Sequence, residues 1–145
     1  MIRKTVIITG AVGGIGSATA KKFAKNGYNI ALIYNKTSPK KLEKELKEYG
    51  IDIFSVKMDI SNEEQVVKGF AEIIKHFDSV DCLVCAAGVA EKEELIIDRS
   101  KEDISRIIDI NLKGTIYCNR EISKYFIGKK SGSIVNISSV LGDVG

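Results

Sequence analysis

Five short apolar runs recur along the chain, at residues 5–9, 29–34, 51–57, 82–85 and 133–137, each separated from the next by a longer stretch with helical spacing. Parallel strands cannot be joined by a tight turn and need a crossover, usually a helix. Strict alternation of strand and helix therefore predicts a parallel sheet with helices on both faces. The helical stretches carry their own punctuation. The first opens in a glycine-rich turn and runs to about Asn26, before Gly27. The second has Ser38 as N-cap and Pro39, the only proline, at its first helical position. The third opens on Ser61-x-x-Glu64, a capping box, and its Val66, Phe70, Ile73, Ile74 and Phe77 keep helical spacing. The fourth runs from near Ser100 to about Ile127, with Gly128 as its stop.

Because such crossovers are right-handed, the expected fold is α/β, a Rossmann-type doubly wound parallel sheet. A length of 145 residues suits one domain, residues 1–145. A net charge of +3 is too weak to argue for nucleic acid. No apolar run approaches the ~18 residues of a membrane helix, so no membrane partner is expected. Three cysteines make no disulfide framework, which points to a reducing compartment, the cytoplasm.

The segment TGAVGGIG, residues 9–16, sits where the first strand feeds the first helix. Exposed N–H groups and the helix dipole favour an anion there. Glycine leaves no Cβ to block a close-lying phosphate. The glycines at 10, 13, 14 and 16 do not fit G-x-G-x-x-G, so from spacing alone a phosphate cradle and a glycine-rich turn both stand. In the fourth helix, Ile104, Ile107, Ile108, Thr115, Cys118 and Ile122 trace an apolar stripe that includes Asn111. A buried amide must be hydrogen-bonded, so Asn111 is either a functional group or a satisfied core residue. Cys82-x-x-Cys85 lies within one strand, where an offset of three points the thiols to opposite faces. His76, the only histidine, has no partner at metal spacing, and no metal site is expected. The lysines of residues 36–47 interleave with Glu43 and Glu45 at i,i+4 spacing and read as a solvated face.

Taken together, TGAVGGIG, Asp59-Ile60 after the third strand, LVCAAG (83–88), INLKG (110–114) and IVNISSVLG (134–142) resemble, in order and spacing, the short-chain dehydrogenases/reductases. The nearest likeness is to their 3-oxoacyl-[acyl-carrier-protein] reductase-like branch. The resemblance implies that Thr9, Gly10, Val12, Gly13, Gly14, Ile15 and Gly16 cradle the cofactor's phosphates. It places Asp59 and Ile60 at the adenine, and Cys85, Ala86, Ala87 and Gly88 along the cofactor. It makes Ser139 and Asn111 catalytic: Ser139 holds a substrate carbonyl and Asn111 supports a proton relay. An acidic residue at the end of the second strand would favour a free ribose 2′-hydroxyl. That position reads Asn35, Lys36, Thr37, which suits a 2′-phosphate. The expected cofactor is therefore NADP (NADPH).

The family's Tyr-x-x-x-Lys should follow Ser139, and the sequence reaches Gly145 without it. Tyr125 and Lys129 have that spacing but precede the fifth strand, with Gly128 between them. The chain thus reads as the N-terminal part of a longer enzyme, its sheet truncated after the fifth strand and inactive alone. Two departures stand out: Cys85-Ala86 replaces an Asn-Asn pair, and the loop VAEKEEL (89–95) differs from the acyl-carrier branch. The expected substrate is a small-molecule or carrier-linked ketone, 3-oxoacyl-thioester-like or related. The family's oligomers use the fourth helix, and a second apolar set, Ile110, Gly114 and Tyr117, predicts a homo-oligomer through residues 101–127. The rival readings are a non-catalytic nucleotide-binding or interaction protein complete at this length, and an inert fragment.

Overall fold

A computed structural model describes residues 3–90 and 95–142. Residues 91–94 of the VAEKEEL loop lie outside the described residues. Strands β1 (Thr5–Thr9), β2 (Asn29–Tyr34), β3 (Ile53–Lys57), β4 (Cys82–Cys85) and β5 (Ser133–Asn136) form one sheet in the order β3-β2-β1-β4-β5. Every pairing is parallel. Helices α1 (Gly14–Lys25), α2 (Lys40–Leu46), α3 (Glu63–His76), α4 (Lys101–Ile107) and α5 (Thr115–Lys129) alternate with the strands, and all but α4 bury residues in the cores on the sheet.

Alternation along the strands sorts side chains into two cores. Val6, Ile8, Ile30, Leu32 and Val84 meet Ala20 and Ala24 of α1 and Leu42 and Leu46 of α2. Ile7, Ala31, Ile33, Leu83 and Cys85 meet Phe70 and Ile73 of α3 and Cys118, Ile122 and Phe126 of α5. Complete burial of one such aliphatic or aromatic side chain stabilises by ~1.5–3 kcal/mol. Thr9 pairs with Ile33 on one side and Cys85 on the other. The chain leaves β1 towards β2 and β3, then crosses back to β4. The loops beyond β1 and β4 therefore diverge, and a crevice opens at that switch point.

Several boundaries differ from the sequence expectation. β3 starts at Ile53 rather than residue 51, because the Asn29 side chain accepts from Asp52 N at 3.0 Å in place of a ladder bond. β5 ends at Asn136, although Ile137 N still donates to Cys85 O at 3.0 Å. Pro39 is the N-cap of α2, and Ser38 Oγ accepts from Lys40 N at 3.5 Å. Asn62, not Ser61, caps α3, its Oδ1 accepting from Gln65 N at 3.1 Å. Ser61 is diverted because its hydroxyl donates to Asp59 Oδ1 at 2.6 Å.

Ser100 caps α4 as expected, accepting from Asp103 N at 3.1 Å. A π-helical segment, Ile108–Gly114, joins α4 to α5, and helical dihedrals at Ile108 and Thr115 keep the rod continuous. Gly128 does not stop it. The helix continues to Lys129 and ends at Lys130, which takes the left-handed conformation at φ 57°. There Lys130 N and Ser131 N close on Ile127 O and Phe126 O, both at 3.2 Å, as orphan C-terminal carbonyls require.

Candidate nucleotide cleft

A cleft of 790 Å³ opens at the C-terminal edge of the sheet. Its walls come from four loops that the sheet order brings together: Gly10, Val12 and Gly13 after β1; Asn35, Lys36 and Thr37 after β2; Asp59 and Ile60 after β3; and Ala86, Ala87 and Gly88 after β4. Those eleven are all sequence-predicted binding residues.

The glycine loop has two kinds of glycine. Gly10, at φ +62°, would place a Cβ 2.6 Å from Ala87 Cα, so the fold itself demands glycine there. Gly16 is buried, and a Cβ on it would lie 2.9 Å from Ala11 Cα. It is a packing residue that lets α1 leave β1 tightly, not a lining one. Gly14 has open space where a Cβ would stand, and Gly13 meets only Gly10 O, at 3.3 Å. The protein's own packing asks little of these two. α1 starts there without a side-chain cap and without an acidic residue in its first turn. Its first N–H groups have no intrahelical acceptor, so the donor set and the bare backbone fit a phosphate group. Ile15 is 57 % exposed and lies outside the cleft wall.

Thr9 and Cys85 do not line the cleft. Thr9 is buried, and its Oγ1 accepts from Ala86 N and Ala87 N, both at 3.1 Å. It braces the β4 loop from behind. Cys85 is buried under that loop and donates to Asn119 Oδ1 at 3.4 Å, while burial pushes its pKa up to about 12. Burial pushes Cys118 up as well. Cys82 and Cys85 contribute to opposite cores, so they form no site. Among the described residues no three His, Cys, Asp or Glu side chains gather as a metal site. His76 instead bonds Asp52 Oδ2 at 2.9 Å and stacks on Phe54 at 4.2 Å.

Asn111 is exposed rather than buried, which corrects the reasoning from its apolar stripe. Ile104 and Ile108 are each 43 % exposed, so only the far end of the stripe, Cys118 and Ile122, covers the sheet, together with Phe126. The Asn111 amide is nonetheless tied to one backbone unit. Its Oδ1 accepts from Val89 N at 2.8 Å and its Nδ2 donates to Val89 O at 2.9 Å. Ser139 lies three residues past β5, at the same sheet edge as the cleft, and its carbonyl accepts from Gly142 N at 3.0 Å.

Tyr125 and Lys129 sit at the opposite edge, before β4. Val80 N donates to Tyr125 Oη at 3.3 Å. Lys129 Nζ donates to Ser79 Oγ, Val80 O and Asp81 Oδ1 at 2.6, 2.8 and 2.6 Å. Helix α5 carries both residues, so it is their location, not a break at Gly128, that keeps them from the cleft.

Sequence reasoning missed part of the wall. Tyr34, Met58, Ser61 and Val89 extend loops already chosen, and widening each by one residue would have found them. Glu102, Ser105, Arg106 and Asp109 also line the cleft. They follow i, i+3, i+4, i+7 spacing, a polar stripe that a search for apolar periodicity passes over.

The short chain dehydrogenase family model matches residues 4–145. The chain is 31 % identical to the 3-oxoacyl-[acyl-carrier-protein] reductase FabG of Staphylococcus epidermidis, over 99 % of this chain and 59 % of that protein. Among solved structures, NAD+-bound xylitol dehydrogenase matches with a TM-score of 0.94 at 31 % identity, over 98 % of this chain and 55 % of that one. ElxO with NADP bound matches with a TM-score of 0.91 at 32 % identity, over 100 % of this chain and 58 % of that one. The chain thus spans rather more than half the length of these relatives. With the family model matched over nearly its whole length, the chain belongs to the short chain dehydrogenase family.

Proposed function

We propose that residues 1–145 are the nucleotide-binding part of an oxidoreductase that uses NADPH to reduce a ketone. The observation that carries this reading is the meeting of the capless α1 N-terminus with Asn35, Lys36 and Thr37 in one cleft. The first offers donors to a pyrophosphate; the second offers donors and a positive charge, with no carboxylate, where a ribose 2′-phosphate would lie. When bound, the reduced nicotinamide supplies hydride. The residues of this chain bind and orient. Thr9 and Asn111 hold the loop between β4 and Val89 from two sides, and Ser139 Oγ donates a hydrogen bond to the ketone oxygen. Asn111 acts through Val89, as both polar atoms of its side chain are committed there.

Tyr125 and Lys129 lie at the wrong edge to donate the proton that completes the alcohol, so this reading assigns that proton to neither of them. The FabG likeness supports a 3-oxoacyl-thioester-like substrate. The three free cysteines, Cys82, Cys85 and Cys118, suit a reducing compartment such as the cytoplasm. A second reading, NAD in place of NADP, is favoured by the likeness to a dehydrogenase solved with NAD+.

Fluorescence titration with NADPH and NADH decides between the two cofactors. The expected result is tighter NADPH binding, and equal or tighter NADH binding would reverse the choice. Steady ketone-dependent NADPH oxidation by the 145-residue chain would refute the exclusion of Tyr125 and Lys129 as proton donor.

A further inference from the structure

Asp59 is flanked by two cleft-lining residues, Met58 and Ile60, and the side chain of each is seated against a glycine of a different helix. Met58 is 1 % exposed and reaches under α3, where a Cβ on Gly69 would overlap its Cε. Ile60 is 6 % exposed and packs on Gly114, where a Cβ would lie 2.7 Å from Ile60 Cγ1 and 3.1 Å from Ile60 O. The two seats differ in what a methyl would do. At Gly114 it meets a stiff β-branched side chain and a backbone oxygen. At Gly69 it meets the flexible end of a methionine, which can turn away without unfolding the protein. Val56 Cγ1 closes one side of that seat, 3.2 Å from the same Cβ position. The open volume beside Met58 is the cleft.

We infer that Gly69, which touches no part of the cleft, sets its depth at the adenine end by giving Met58 a place to lie under α3. This positioning role rests on the nucleotide reading above. Gly69→Ala displaces the thioether into the space that the adenine half of the dinucleotide occupies, leaving the glycine loop untouched. The variant Met58→Leu removes the Cε atom. Its branch ends at the distance of Sδ, which stands an ordinary 3.6 Å from a Cβ at Gly69.

The test compares binding of NADPH, adenosine 2′,5′-bisphosphate and reduced nicotinamide mononucleotide to the 145-residue chain and its variants. In Gly69→Ala the first two weaken roughly tenfold, as small misplacements in a shaped site do, and the mononucleotide is unchanged. Gly69→Ala/Met58→Leu recovers the parent affinity, a rescue that general destabilisation would not give. Met58→Phe, which brings extra volume into the cleft with Gly69 intact, shows the same selective loss and serves if Gly69→Ala does not fold. Parent-level bisphosphate binding in a folded Gly69→Ala or Met58→Phe chain overturns the inference, as does failure of the leucine to rescue. A parent that binds neither NADPH nor the bisphosphate overturns the nucleotide reading, and this inference with it.

Discussion

Asn111 and Val89 form a closed ring of two hydrogen bonds, with the amide oxygen on the Val89 N–H at 2.8 Å and the amide nitrogen on the Val89 carbonyl at 2.9 Å. Side chain thus meets backbone as one strand would meet another, across the gap between the β4 loop and the π-helical segment. Asn111→Ala leaves both backbone groups to water. Each such bond is worth about 1 kcal/mol net, so we expect a small loss of stability and a clear loss of NADPH affinity. Asn111→Asp keeps the acceptor, loses the donor and should fall between. Thermal unfolding and titration on the same samples check both. Unchanged NADPH binding by Asn111→Ala would show that the ring does not hold the cleft.

Lys129 and Tyr125 are expected to matter for stability only. Tyr125→Phe removes an acceptor from Val80 N, and Lys129→Met leaves Asp81 with one cation fewer. Both should lower the unfolding midpoint while leaving dinucleotide affinity at the parent value. A drop in affinity from either change, with folding intact, would place this cluster nearer the site than the sheet edge allows.

The same cluster makes a pH prediction. Burial would raise the Asp81 pKa, but the Lys129 hydrogen bond, the Thr5 N–H and the charges of Lys129 and Lys4 outweigh it and hold the carboxyl below its ordinary value. A group depressed on folding adds stability above its unfolded pKa of about 3.9. That stability is lost as the pH falls through the folded value. Asp81→Asn should therefore flatten the acid side of the stability profile below about pH 4. Urea midpoints at several pH values measure it; an unchanged acid slope would remove Asp81 as a contributor.

What was legible in the sequence follows from the physics of each element. The strands were visible because burial on two faces makes them apolar throughout, as in Val6-Ile7-Ile8. The glycine loop was visible because few backbones tolerate φ +62° at Gly10. The capping of α3 was misplaced by one residue, since Ser61 and Asn62 are both good caps and only the pull of Asp59 on Ser61 decides. The stop at Gly128 failed because a left-handed cap depends on where the terminal carbonyls can be satisfied, and Lys130 accepts that strain. The apolar stripe does not account for Asn111, which is exposed. Its partner is a backbone 22 residues away, which no local periodicity reports.

Cofactor choice should turn on one position. Asn35 lines the cleft at the end of β2 beside Lys36. Asn35→Asp puts a carboxylate where the 2′-phosphate would lie, repelling it while accepting from a free 2′-hydroxyl. The ratio of NADPH to NADH affinity should fall by at least about tenfold, the factor expected when a charge-assisted contact of ~1.5 kcal/mol becomes repulsive. A ratio that does not move would place the 2′-position elsewhere in the cleft.

The apolar face that the 101–127 rod leaves outside is not the one carrying Ile110 and Tyr117. Ile110 and Tyr117, expected at an interface, pack against the core of their own chain, and Gly114 is buried on Ile60. Besides Ile127, the large apolar residues left exposed on this rod are Ile104, Ile108, Leu112 and Ile116, between 43 and 53 % exposed and four residues apart. That spacing sets the four side chains in one apolar row along the rod, through the π-helical segment. Asp109 and Lys113 pair with each other at 2.7 Å on the same helical rod, in i,i+4 register. We therefore expect a homo-oligomer in which this row meets its copy. Because all four side chains are half-exposed in the monomer, Ile108→Asp with Leu112→Asp should dissociate the assembly without unfolding it. Ile110→Asp, by contrast, should damage the fold. Light scattering and thermal unfolding on the two variants separate these effects. A monomeric parent, or a double variant that stays assembled, would end the assignment of this row as the interface.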